Sequence, residues 1–87
     1  MTQLHVCSVW DSAVQSYMKP MYVPHTGGAV RAFTDEVNRV AEGNPLAAHP
    51  DDYELHLLAV WDDESGMYEN VAAEKDVVLI RGKDAKR

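Results

Sequence analysis

Leu4-His5-Val6-Cys7-Ser8-Val9-Trp10-Asp11, with Tyr17 after five further residues, returns later in the chain as Leu55-His56-Leu57-Leu58-Ala59-Val60-Trp61-Asp62, with Tyr68 after five further residues. The shared frame is Leu-His-x3-Val-Trp-Asp-x5-Tyr. Each copy is an apolar run that ends in an acidic, turn-forming stretch, which is the outline of a β-strand entering a hairpin. The chain therefore carries two related hairpins with a different segment between them.

Working outward, residues 3–10 read as the first strand. Leu4, Val6, Ser8 and Trp10 lie on one face, and His5, Cys7 and Val9 on the other. After a turn at 11–16, residues 17–23 resume as a second strand. Pro20 has no N–H for a ladder, so that strand is an edge or carries a bulge. The Pro24-His25-Thr26-Gly27-Gly28 run leads into a helix with Thr26 as its expected N-cap. Val30, Phe33, Val37 and Val40 or Ala41 form one apolar stripe. Gly43 and Asn44-Pro45 stop it, so the spacing predicts a helix over 28–42. One helical turn is expected around 45–49. The third strand, 53–61, alternates Tyr53, Leu55, Leu57, Ala59 and Trp61 against Glu54, His56, Leu58 and Val60. A turn at 62–66, a short strand at 67–71, a turn at 72–75 and a final strand at 76–81 complete the pattern. The expected fold is α+β in the order β-β-α-β-β-β: an antiparallel sheet of two related hairpins plus a final strand, with one amphipathic helix packed on one face. Residues 1–82 form a single domain in this reading, and 83–87 a flexible basic tail. Both faces of the repeated strands carry apolar residues, and one helix covers one face only. A second copy of the chain is the expected cover, giving a homodimer or larger homo-oligomer.

Eighty-seven residues bound the protein to one small domain, and an apolar fraction of 46% excludes a disordered chain. No apolar run approaches the ~18 residues that span a bilayer, and no signal peptide is expected from the N-terminal residues. The one cysteine, Cys7, excludes an intramolecular disulfide and points to a cytosolic setting. The net charge of −6 and pI near 5.0 argue against a nucleic-acid binder that uses its whole surface electrostatically. Acid collects at Asp51-Asp52, Asp62-Asp63-Glu64, Glu74 and Asp76. Base collects at Arg81, Lys83, Lys86 and Arg87, with Arg31 and Arg39 in the middle segment. That distribution allows a local basic stripe on an acidic body, or simply a solvated surface.

Several constellations bear on chemistry. His5 and His56 hold equivalent places in the repeats and would converge if their strands paired in register, but no Cys/His pair has zinc-type spacing, and no metal or other cofactor is expected. Asp62-Asp63-Glu64-Ser65-Gly66 has too few correctly spaced oxygens for a calcium loop, whereas Asp is ordinary in hairpin turns. Cys7 sits mid-strand without a basic neighbour and reads as a buried thiol. His25, Gly27, Gly28 and Arg31 surround a helix N-terminus, whose free N–H groups suit one phosphate; the run is not a Walker A loop. Trp10, Trp61, Tyr17, Tyr22, Tyr53 and Tyr68 would make a stacking platform for single-stranded bases if they shared a face. Aromatics at strand spacing are more often core, and both tryptophans are expected there. No catalytic signature is present, and the chain is not expected to be an enzyme.

The ordered set Tyr22-Val23-Pro24, Ala29-Val30-Arg31-Ala32-Phe33-x3-Val37-Asn38, His49-Pro50-Asp51-Asp52-Tyr53-x-Leu55 and Trp61-Asp62-Asp63-x2-Gly66 resembles the small nonstructural protein of microviruses, the gokushovirus-type single-stranded DNA phages. The resemblance implies a phage-encoded, non-capsid protein made in the bacterial cytoplasm. It also implies single-stranded DNA binding, or action on a DNA–replication-protein complex, at the switch to single-strand synthesis and packaging. The phosphate contacts expected on that reading are Lys19, His25, Gly27, Gly28, Arg31, Arg39, Arg81, Lys83, Lys86 and Arg87, without base readout. The rival is an interaction protein that binds a replication protein through its acidic hairpin tip, Asp62 to Glu64, and never touches DNA.

Overall fold

The computed structural model of the protein describes residues 2–71 and 77–87. Strands β1 (Gln3–Asp11), β2 (Ser16–Tyr17) and β3 (Met21–Val23) precede helix α1 (Thr26–Val37). A short α2 (Pro45–Ala48) and a 3-10 turn (Pro50–Asp52) lead to β4 (Tyr53–Asp62), β5 (Tyr68–Asn70), β6 (Val78–Arg81) and a last turn of helix, α3 (Gly82–Ala85). Among the described residues the sheet is six-stranded and antiparallel. The long strands β1 and β4 pair at its centre. β2 and β3 share the outer edge of β1, and β5 and β6 share the outer edge of β4. The fold is α+β, with one main helix on one side of the sheet. The turn expected at 72–75 lies outside the described residues.

The sequence repeat is a structural repeat. Trp10 pairs with Tyr17 across the first hairpin, and Trp61 with Tyr68 across the second. Asp11 and Asp62 close their turns alike: each Oδ1 accepts from the N–H two residues on, Ala13 at 3.0 Å and Glu64 at 2.8 Å. Each Asp carbonyl also accepts from a residue of positive φ at 2.8 Å, Gln15 (φ 56) in one turn and Gly66 (φ 74) in the other. Glycine adopts that conformation freely; Gln15 does so at a cost.

β1 and β4 run antiparallel, so the repeated histidines do not converge. His5 lies opposite Val60, and His56 opposite Ser8. The second strand divides as Pro20 requires: Met18 N–H still donates to the Val9 carbonyl, Lys19-Pro20 leave the ladder, and β3 resumes against residues 5–7.

The decisive irregularity is in β4. Its register against β1 passes from Ala59 opposite Val6 to Leu57 opposite Cys7, so Leu58 is one residue extra. A bulge of one residue moves everything beyond it to the other side of the sheet. Tyr53, Leu55 and Leu57 therefore face α1 with Cys7 and Val9. Ala59 and Trp61 turn to the opposite face with Leu4, Val6, Ser8 and Trp10. The uninterrupted alternation expected for 53–61 is corrected accordingly.

On the covered side, Ala29, Phe33 and Val37 of α1 pack with Cys7, Val9, Leu46, Tyr53, Leu55 and Ala85. Burial pushes the Cys7 thiol up from its ordinary value, as expected for an inert buried cysteine. Burial, then the neighbouring Asp11 carboxylate, raises Tyr53. Thr26 is the first helical residue, and the N-cap is His25, with no side-chain hydrogen bond. The helix ends at Val37, five residues before the predicted stop. Asn38 Nδ2 donates to the Thr34 carbonyl at 2.8 Å and to the Ala85 carbonyl at 2.9 Å. Asn44 Nδ2 takes the Glu36 and Arg39 carbonyls. Two side-chain amides thus tie the end of α1 to the chain around it, Asn44 taking the Glu36 carbonyl that another turn of helix would have used, and Val40 is left 90% exposed.

The basic tail is likewise corrected. Residues 82–85 are helical, and Ala85 is in the core. The Arg87 N–H donates to Asn38 Oδ1 at 2.8 Å. Gly82 makes this docking possible, because an added Cβ would fall inside contact distance of the Pro50 carbonyl oxygen. Gly82→Ala should therefore lower unfolding free energy by ~1–3 kcal/mol. A chemical denaturation curve matching that of the native protein would show that α3 does not need this approach.

Candidate nucleic-acid interface

The face turned away from α1 gathers the aromatic residues. Trp10 is central on β1, and its ring lies 4.9 Å from that of Tyr17. His56 completes this first cluster, 5.5 Å from Tyr17 and 6.4 Å from Trp10 between centroids. At the other end, Trp61, Tyr22 and Tyr68 form a second cluster, with centroids 6.2–6.5 Å apart. Tilted and edge-on packing at these separations is favourable for aromatic quadrupoles. Both tryptophans are half-buried, and neither belongs to the core under α1. Tyr17, Tyr22 and Tyr68 are 44%, 46% and 56% exposed. The expectation of two core tryptophans is thus corrected, and for Trp61 the Leu58 bulge is the reason. Tyr53 is the exception among the aromatic candidates: it faces α1.

Polar groups on this face are matched to one another. The Tyr17 hydroxyl meets His56 Nδ1 at 2.8 Å, and His56 Nε2 meets Glu54 Oε1 at 2.9 Å. Arg81 Nε donates to Glu54 Oε2 at 3.2 Å. A carboxylate only accepts, so a proton on Nε2 goes to Glu54. The His56 hydrogen bond foremost, with the charges of His56 and Arg81, holds the Glu54 carboxyl below its ordinary range. In the second cluster the Tyr22 and Tyr68 hydroxyls share a hydrogen bond of 2.8 Å, which raises Tyr68.

A carboxyl whose pKa is depressed on folding stabilises the fold fully above its unfolded value, and the benefit is lost as pH falls through the folded one. Glu54→Gln should therefore shrink the stability difference between pH 7 and the acid limb. Thermal unfolding on both sides of the carboxylate range checks this; an equal acid-induced loss in variant and native protein would refute it.

The basic candidates are spread over three regions. Arg81 is on the aromatic face, paired with Glu54. His25, Gly27, Gly28 and Arg31 belong to the start of α1, about 18 Å along a 12-residue helix from its other end. Arg39, Lys86 and Arg87 gather at the C-terminal end of α1. There Lys86 Nζ reaches the Val37 and Ala47 carbonyls at 3.4 and 3.5 Å, and Arg39 pairs with Glu36 at 2.6 Å. Cations at a helix C-terminus complement its dipole and free carbonyls, which gives this group a structural role. Lys19 lines the same groove as Arg39, beside Met18, Met21 and Phe33. Lys83 lies in α3 and is exposed. Among the described residues no group of three His, Cys, Asp or Glu side chains is arranged to hold a metal ion, and no helix is long and apolar enough to cross a membrane.

Tyr and Trp in strands were visible as candidates from the sequence; that all but Tyr53 share the face turned away from α1 was not. Residues 4–85 match the phage ORF5 protein family, and the chain belongs to that family. No curated protein and no solved structure is significantly similar to it.

Proposed function

We propose that this phage protein binds single-stranded DNA on the aromatic face of its sheet, as a nonstructural protein of the microvirus type. It would act in the host cytoplasm, in genome replication or at the switch to single-strand synthesis and packaging. The observation that carries the reading is the pair of Trp–Tyr clusters on a sheet face that no helix among the described residues covers. Every base has a π-face, so exposed rings on strands bind single strands without needing a sequence. The net charge of −6 weighs less against this than it did for the whole chain. Among the described residues, the charged strand residues placed on this face are Glu54 and Arg81, which pair with each other. The acidic hairpin tip and the 3-10 turn lie at the ends of the strands.

Stacking with little phosphate contact has a salt signature. The log–log slope of affinity against salt is ~0.7 per phosphate contact on single strands. A slope near one contact is expected here, from Arg81. Titration of intrinsic tryptophan fluorescence with oligothymidylate at several salt concentrations tests it. No quenching at low salt and high protein concentration would sink the DNA reading.

The exposed rings of Tyr22 and Tyr68 favour a second reading, a protein partner. A replication protein or a second copy of the chain would lay its own apolar surface over them. Light scattering at tens of micromolar, with and without oligonucleotide, separates the two: a dimer that persists and excludes DNA supports the partner.

A further inference from the structure

Resting on the DNA reading, we infer that the face is a two-site clamp for one continuous strand, with a minimum ligand length set by the separation of its clusters. Trp61 stands opposite Leu4, six residues along β1 from Trp10. At ~3.3 Å per strand residue the two indoles are about 20 Å apart. Stacked nucleotides advance ~3.4 Å each, so about six of them reach from one cluster to the other.

The repeat explains why there are two such sites. Each long strand ends in the same Trp–Asp turn and each returns a Tyr across from the Trp. Antiparallel pairing of β1 with β4 sends those ends in opposite directions. The Leu58 bulge keeps both rings on one side; without it, Trp61 would face away from Trp10. Between the clusters lie Val6 and Ser8, which are buried, and Ala59, which is small. The middle of the face therefore offers a shallow path and no third aromatic ring among the described residues.

The clusters are not identical. The first is backed by the Tyr17–His56–Glu54–Arg81 chain and carries the cation of this face. The second presents phenols bonded to each other. A bridging strand would meet its phosphate contact at the first cluster and stack at both.

Two single-tryptophan variants, Trp10→Phe and Trp61→Phe, report one cluster each and keep a ring at the other. Thymidylates of two, four, six and eight nucleotides should be titrated into both. Dinucleotides should bind weakly, with unrelated midpoints at the two reporters. Affinity should rise tenfold or more once the length reaches about six, because the second contact becomes intramolecular. Both reporters should then share one midpoint. Octanucleotide binding sensed at one reporter only, or affinity that climbs smoothly with length, overturns the clamp and leaves the DNA reading standing. Failure of every length at both reporters, with the native protein also silent, overturns both.

Discussion

Phe33→Ala should remove about 3–5 kcal/mol of unfolding free energy, the cost of truncating a large buried ring. Phe33 is 2% exposed, at the middle of the helix face that meets Cys7, Val9, Tyr53 and Leu55. Small domains have ~5–15 kcal/mol in all, so the variant should be close to unfolding at room temperature. Val40→Ala is the informative control. Val40 continues the apolar stripe in sequence, yet it is 90% exposed beyond the end of α1. It should change stability by no more than ~0.5 kcal/mol. Urea unfolding of both, with unchanged slopes, measures the difference. A loss under ~1 kcal/mol for Phe33→Ala would mean that α1 does not dock through this face.

The second large effect concerns binding. Stacking on one aromatic side chain is worth ~1–3 kcal/mol per base, about 5- to 150-fold in affinity. Trp10→Ala and Trp61→Ala together should therefore take oligothymidylate binding below detection, while each alone weakens it within that range. Far-UV circular dichroism must show that the sheet persists, since both rings also pack against neighbouring tyrosines. Arg31→Ala, at the start of α1, should leave affinity within about twofold. If Arg31→Ala weakens binding more than the loss of both indoles, the strand runs along the helix and not over the sheet.

The hairpins were legible because their signals are local. An apolar run, an Asp that bonds its own turn and a Tyr at fixed distance recur in both copies and need no tertiary information. Pro20 likewise announced the break between β2 and β3. The Leu58 bulge was not legible. Leu57-Leu58-Ala59-Val60 is apolar throughout, so no polar residue marks where the alternation slips. The sidedness of Trp61, and with it the candidate interface, depends on that slip. The early end of α1 was hidden for a related reason. Asn38 caps it partly through the Ala85 carbonyl, a contact made with the far end of the chain. The docking of 83–87 was masked by composition. Its charged residues read as a solvated tail, and the small residues that seat it, Gly82 and Ala85, carry little pattern.

Heteronuclear NMR of the native protein with a hexathymidylate tests the proposed interface most directly, because each indole N–H gives its own resonance. Binding on the aromatic face should move the Trp10 and Trp61 indole signals together, with the amides of Val6, Tyr17, Tyr22 and Tyr68, while those of Ala29, Phe33 and Val37 stay in place. Indole signals that remain fixed while the amides of His25, Gly27, Gly28 and Arg31 move would place the strand at the helix start instead, and no movement at all would remove single-stranded DNA as the ligand.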